Sequence, residues 1–263
     1  MKIAIVETSN PTNGSLDDRL PGLESQIAEA GFEAVYAYRN LNPEKRWRVD
    51  PQVRADILNA QFTDDDVAAI FDTSGGDLAN EVLDLLDFDA IRANPKPFVG
   101  YSDLTVVHTA IAAGASIPTV LWNPVTAERR AAGDVGKILA GERLLPTATP
   151  VGEAGELPDL PIVGGNIRCF VKTAGTRHFP ADLRGRLLLL EAYSPRLEMV
   201  ATYLAQLSQM GVFAQVEGLI LGEFTAIADR RPELIELAAE YGIPMWDAPK
   251  VGHNFECEPV TLG

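Results

Sequence analysis

The chain has 263 residues, 46% of them hydrophobic, which suffices for a sizeable core in one large or two small domains. Its 22 Lys and Arg against 37 Asp and Glu give a formal charge of −15, which argues against nucleic acid and anionic membrane surfaces as general partners. An anionic substrate would need a local cluster of Lys or Arg. Two cysteines, Cys169 and Cys257, make neither a disulfide framework nor a four-ligand zinc site, and are expected as buried thiols in a reducing compartment. The apolar run Ile3 to Val6 is too short for a signal peptide, and no stretch reaches the length of a membrane span, so a soluble, cytoplasmic protein is expected.

Lys2-Ile-Ala-Ile-Val6 reads as a buried first strand, followed by a loop from Ser9 to Gly14. Leu20 to Ala30 reads as a helix stopped by Gly31, and Phe32 to Tyr38 as a second strand. Asn40 to Val49 reads as loop and Val53 to Gln61 as a helix. Asp66 to Phe71 is a third strand running into Asp72-Thr-Ser-Gly-Gly-Asp77, with a helix from Glu81 to Leu86 after it. A strand at Phe98-Val99 ends in Gly100, and Leu104 to Ala113 reads as a helix stopped by Gly114. Thr119 to Trp122 is another strand. This alternation predicts an N-terminal doubly wound parallel-sheet domain of α/β class over residues 1–125, with sites at the carboxyl ends of its strands.

The stretch from Asn123 to about Pro161 is rich in proline, and residues 126–160 read as an interdomain linker, with a helix from Ala131 to Leu139. Residues 161–263 read as a smaller C-terminal α/β domain. Its elements are a segment from Ile162 to Gly175, a strand Arg186 to Glu191, a helix Leu197 to Met210, a strand Val216 to Gly222 and a helix Pro232 to Tyr241.

Strand, sharp turn and helix around Ser102 suit a nucleophile lifted beside a helix N-terminus, whose N–H groups can bind an oxyanion. The match to a G-x-S-x-G elbow is partial, because Leu104 holds the place of the second glycine; Ser102 or Asp103 as a plain helix cap stays open. His108 follows Ser102 by six residues on the same helix. At about 100° per residue it points away from the serine, so it reads as a core or surface histidine. His178, in a loop, reads as solvated or structural. His253, after Gly252, suits a loop at a strand end and is a candidate base. Glu191 ends a dense leucine strand; a buried carboxylate needs a partner, and a histidine N–H is a chemically sensible one. An ordinary strand-end residue is the alternative, and Glu198 reads as a solvent-facing helix residue. No P-loop, dinucleotide fingerprint or metal-binding motif is present, so neither a cofactor nor a metal is expected.

These stretches, in this order, resemble the LD-carboxypeptidase family of serine peptidases, which includes the microcin-C immunity peptidases. The resemblance rests on Ser74-Gly-Gly-Asp77, on Leu83 to Thr105 with its Gly-Tyr-Ser-Asp, on Gly164-Gly-Asn166, on Leu188-Leu-Leu-Glu191, and on Val251-Gly-His253 followed by Val260 to Gly263. It implies a triad of Ser102 as nucleophile, His253 as general base and Glu191 as the group orienting it. Backbone N–H groups of Gly76 and Asp103 would form the oxyanion hole, with the site between the lobes. The family often has an arginine before the Gly-Gly turn and an aromatic after it; here these are Ser74 and Asp77. The activity implied is amide hydrolysis at the L,D bond that releases a terminal D-amino acid from a murein tetrapeptide, as in peptidoglycan recycling. Alternatives are a microcin-like peptide- or aminoacyl-nucleotide amide, as in self-immunity, and a catalytically silent binding protein. The partners expected are a small peptide or peptide-nucleotide substrate and a second copy in a homodimer, with no nucleic acid and no membrane.

Overall fold

A strand apolar on both faces, such as Lys2–Val6, needs a layer on each side. The computed structural model describes residues 1–10, 20–37, 48–129, 133–254 and 256–263, and shows those layers. In chain order the elements are β1 (Lys2–Val6), α1 (Pro21–Glu29), β2 (Glu33–Tyr36), α2 (Pro51–Thr63), β3 (Val67–Asp72) and a 3-10 stretch (Ala79–Leu85). There follow α3 (Phe88–Ala93), β4 (Phe98–Gly100), α4 (Thr105–Gly114), β5 (Thr119–Leu121), α5 (Asp134–Leu139) and β6 (Thr149–Val151). The remainder is β7 (Ile162–Asn166), α6 (Ile167–Lys172), β8 (Leu187–Ala192), α7 (Leu197–Gln209), β9 (Gly218–Phe224), α8 (Arg231–Ala239), β10 (Met245–Asp247) and β11 (Val260–Leu262).

The first sheet has the order β11-β5-β4-β3-β1-β2, parallel except for β11 on its edge. Alternation along its strands fills both faces. Ala4, Val6, Ile70 and Phe98 pack towards α2 and α4, whereas Ile3, Ile5, Phe71 and Val99 pack towards α1 and α5. The fold is therefore α/β and doubly wound, as the alternating pattern predicts. The order of its parallel strands places a topological switch between β1 and β3, where sites of such sheets gather.

The second sheet has the order β6-β10-β9-β8-β7, again parallel except at one edge. Parity divides the leucine strand. Leu188 and Leu190 face the core under α6 to α8, while Leu187 and Leu189 face a core shared with Leu121, Val260 and Leu262 of the first sheet. Burying each leucine contributes about 1.5–3 kcal/mol before entropy is charged against it. Glu191 has the parity of Leu187 and Leu189, so the strand points it to the side facing the first sheet.

Several short elements escaped the sequence patterns. Phe88–Ala93 is a helix nucleated by Asp87, whose Oδ1 accepts the Ala90 N–H at 2.9 Å. The helix expected from Glu81 to Leu86 is instead a 3-10 stretch with no side-chain cap. β6 lies in the proline-rich segment and edges the second sheet, whereas β11, near the C-terminus, returns to the first. The expected loop from Asn40 to Val49, apart from Arg48 and Val49, most of the Ser9 to Gly14 loop and the start of the Ala131 helix lie outside the described residues.

Candidate active site

Ser102 stands one residue beyond the extended Tyr101, at the head of the turn that leads into α4, with φ of 54°. A non-glycine residue in this region costs roughly 1–3 kcal/mol and persists only when its surroundings enforce it. Here Gly100 provides part of the enforcement by its lack of a side chain. A Cβ on it would come within 3.0 Å of Leu104 Cβ, so the chain folds back over bare backbone. Leu104, which breaks the elbow motif, packs directly above.

Asp103 anchors the other side of the turn. Its fully buried carboxylate accepts from Ser9 Oγ at 2.7 Å, from the Ala79 N–H at 2.8 Å and from Lys172 Nζ at 2.5 Å. Lys172 belongs to α6, so the turn is clamped by the helix that joins β7 and β8 of the second sheet. Thr105 repeats the pattern, its Oγ1 accepting the Asn166 N–H at 2.9 Å.

The Gly75–Gly76 turn is shaped by Asn10. The Asn10 N–H donates to the Gly75 carbonyl at 3.2 Å, and its Oδ1 accepts the N–H groups of Asp77 and Leu78 at 2.8 and 3.1 Å. Peptides are trans, so the Gly76 N–H points opposite to the Gly75 carbonyl, away from the Asn10 amide. Gly76 itself has φ of 119°, and a Cβ there would lie 2.4 Å from the Asn10 side chain. Behind this turn, buried Asp72 accepts from the backbone N–H and hydroxyl groups of Thr8 and of Ser74, which ties the end of β1 to the end of β3. Burial pushes its carboxyl up to about 6, although the hydrogen bonds from Ser74 and Thr8 oppose the rise.

The second half of the site is a buried ion-pair geometry. Glu191 Oε2 lies 2.6 Å from His253 Nδ1, with the two side chains 1% and 8% exposed. Gly222 and Gly252 make room: a Cβ on Gly222 would meet Glu191 Cβ at 2.8 Å, and one on Gly252 would meet Glu223 Cβ at 2.7 Å. Glu223 Oε2 then accepts the backbone N–H groups of His253 and Asn254 at 2.9 and 2.7 Å. Burial alone would lower the His253 pKa. The charge and hydrogen bond of Glu191, with the charge of Glu223, outweigh it and hold the imidazole above its usual 6.5. With Nδ1 facing a carboxylate, Nε2 is the nitrogen left to take a proton; it is buried and has no partner among the described residues. The rings of Tyr101 and Tyr193 lie 5.6 and 5.1 Å from the His253 ring.

Of the residues singled out in the sequence, Glu191 and His253 are hydrogen-bonded, and Ser102 and Gly76 line one cavity of about 400 Å³ together with Asn166, Arg168 and Tyr193. No hydrogen bond joins Ser102 to His253 Nε2 among the described residues. His108 is a core residue: its Nε2 contacts the Gly100 carbonyl at 3.0 Å, and burial lowers its pKa to about 4 against that bond. His178 is structural, buried with Nε2 2.7 Å from Asp84. Cys169 and Cys257 are both buried, and burial raises the Cys169 thiol far from reactivity. Glu198 is exposed on the first turn of α7.

Three groups the sequence did not single out matter here: Asn10, Glu223 and Arg168. Glu223 carried one signal, a carboxylate two residues beyond the alternating core strand Leu219 to Leu221. Asn10 carried none, because its role lies in backbone groups far along the chain.

A left-handed serine turn and a glycine turn at strand ends, with a buried Glu–His pair, are contributed by two packed α/β sheets, groups of the kind a serine hydrolase uses. Residues 3–121 match the LD-carboxypeptidase N-terminal domain and residues 161–263 the LD-carboxypeptidase C-terminal domain, so the chain belongs to the LD-carboxypeptidase family of serine carboxypeptidases. Among its relatives, the probable murein peptide carboxypeptidase of Bacillus subtilis is 29% identical, over 98% of this chain and 85% of its own. The microcin C7 self-immunity protein MccF of Escherichia coli is 27% identical, over 80% of this chain and 73% of its own. The structure of MccF with aspartyl sulfamoyl adenosine superposes with a TM-score of 0.81 over 100% of this chain and 91% of that one, at 23% identity. That of the Oxalobacter formigenes muramoyltetrapeptide carboxypeptidase does so with 0.79 over 100% and 93%, at 22% identity. At these identities the superpositions establish the fold.

Proposed function

We propose that the chain hydrolyses an L,D-peptide bond, releasing the terminal D-amino acid of a murein tetrapeptide, with a Ser102–His253–Glu191 triad. The observation that supports it most is the buried Glu191–His253 pair, which directs Nε2 to a proton-accepting role. In this reading Ser102 Oγ attacks the scissile carbonyl as His253 Nε2 takes its proton. The N–H groups of Gly76 and Asp103 hold the oxyanion, and the Gly75 carbonyl bound to Asn10 fixes the first of them. His253 then protonates the leaving amine, and Glu191 stabilises the imidazolium between the two steps. Water, activated by the same histidine, hydrolyses the acyl-enzyme. Hydrogen bonds between a catalytic serine and its histidine commonly tighten only around bound substrate.

Mass spectrometry of the tetrapeptide incubated with wild type and with Ser102→Ala tests this reading. Loss of D-alanine with wild type alone is the expected result; loss with both, or with neither, contradicts it. A second reading, an aminoacyl-nucleotide amide as substrate, draws on Tyr193, 65% exposed at the cavity edge and able to carry a base by stacking. Cleavage of an aspartyl sulfamoyl adenosine analogue in preference to the tetrapeptide would select it.

A further inference from the structure

The cavity beside Ser102 has a single cationic side chain among its described lining residues, Arg168, in a chain whose net charge is −15. Arg168 lies in the first turn of α6. Its Nη2 donates to the Gly76 carbonyl at 2.8 Å, which holds the guanidinium beside the turn that carries the proposed oxyanion donor. Its Nη1 donates to the Asp77 carboxylate at 2.6 Å. The two bonds differ in kind. The first fixes the guanidinium to backbone. The second joins it to a side chain that is 69% exposed, and an ion pair this open to water holds its partner weakly. Asp77 is thus an exchangeable carboxylate on a fixed cation. Apart from Asp77, the other lining side chains, Tyr193, Met199 and Tyr203 among them, carry no charge.

We propose that Arg168 is the receptor for the free C-terminal carboxylate of the substrate peptide, and that Asp77 occupies this receptor as an internal competitor until substrate displaces it. The inference rests on the carboxypeptidase reading and gives it a residue for its exopeptidase character. A planar fork of donors suits a carboxylate better than an ammonium would. One amidated carboxyl removes both the charge and one acceptor oxygen, so the site discriminates a peptide acid from its amide.

Calorimetric titration of the Ser102→Ala protein with a murein tetrapeptide and with its C-terminal amide tests the proposal without turnover. The acid is expected to bind about ten- to a hundred-fold tighter than the amide. Adding Arg168→Gln brings the acid down to the affinity of the amide. Adding Asp77→Asn instead tightens the acid by up to about five-fold and leaves the amide where it was. Equal binding of acid and amide, discrimination that survives Arg168→Gln, binding of neither form, or weaker binding of the acid after Asp77→Asn overturns it. If Arg168→Gln lowers the melting temperature, the Asp77→Asn arm decides, since that side chain is exposed. Discrimination in the absence of D-alanine release by wild type would refute the carboxypeptidase reading and keep the receptor; release without discrimination would do the reverse.

Discussion

The serine turn and the histidine loop reach the same region from different sheets and are held by different physics. Around Ser102 the constraint is backbone geometry: a left-handed φ, a bare Gly100 beneath Leu104, and a buried Asp103 that gathers donors from three other segments. Around His253 the constraint is charge. Glu191 faces the ring, Glu223 takes the two backbone N–H groups of the loop, and glycines at 222 and 252 let three chain segments close together. The difference fits the tasks proposed for each. An attacking oxygen needs a fixed position, whereas a base needs a fixed tautomer and a tuned affinity for a proton.

The largest effect is expected at Glu191. Replacing it with Gln keeps the shape and removes the charge, and kcat is expected to fall about a thousand-fold or more in a D-alanine release assay. Gly76→Ala strikes the serine side. The added methyl group collides with Asn10, and the alanine would be forced to φ of 119°, so a loss on the order of a hundred-fold in kcat is expected, with a smaller change in KM.

Glu223→Gln sharpens the contrast, because it acts through proton affinity. His253 must be neutral to act as a base, and its pKa lies above 6.5, so kcat/KM should rise with pH through a limb above 6.5. Removing the Glu223 charge takes away one cause of the elevation, and the limb should move to lower pH, with kcat on its plateau reduced about ten-fold or less. A limb that stays in place in a pH–rate profile would assign Glu223 a purely mechanical role.

Asp72→Ala tests the serine side by stability. Loss of the acceptor for Thr8 and Ser74 should lower the unfolding free energy by about 2–4 kcal/mol in urea titrations. Asp72 also has a sign that can be checked. Its folded pKa, about 6, lies above the ordinary 3.8, so its contribution is complete below 3.8 and is lost as pH rises through about 6. The wild type should therefore lose more stability across that window than the variant.

The legible part of this protein was what repeats or runs along a strand. The β-α alternation gave the first sheet, and the leucine run pointed at Glu191 because parity and burial act within a few consecutive residues. His108 could be set aside from helix geometry alone, and it lies in the core. Three-residue strands such as β6 and β11 have too few positions for any period to show. Asn10 and Glu223 act by accepting or donating to backbone groups 65 and 30 residues away, and side-chain type says nothing about such partners. The Arg168–Asp77 contact likewise exists only once α6 packs against α4.

The central claim is that Ser102 from one sheet and His253 from the other work as one unit. The direct measurement is kcat for D-alanine release by Ser102→Ala, His253→Ala and the double variant. Each single substitution is expected to cost about a thousand-fold or more and the double no more than either, because a unit already broken has nothing further to lose. Losses that multiply, or a His253→Ala protein that retains near wild-type kcat, would contradict it.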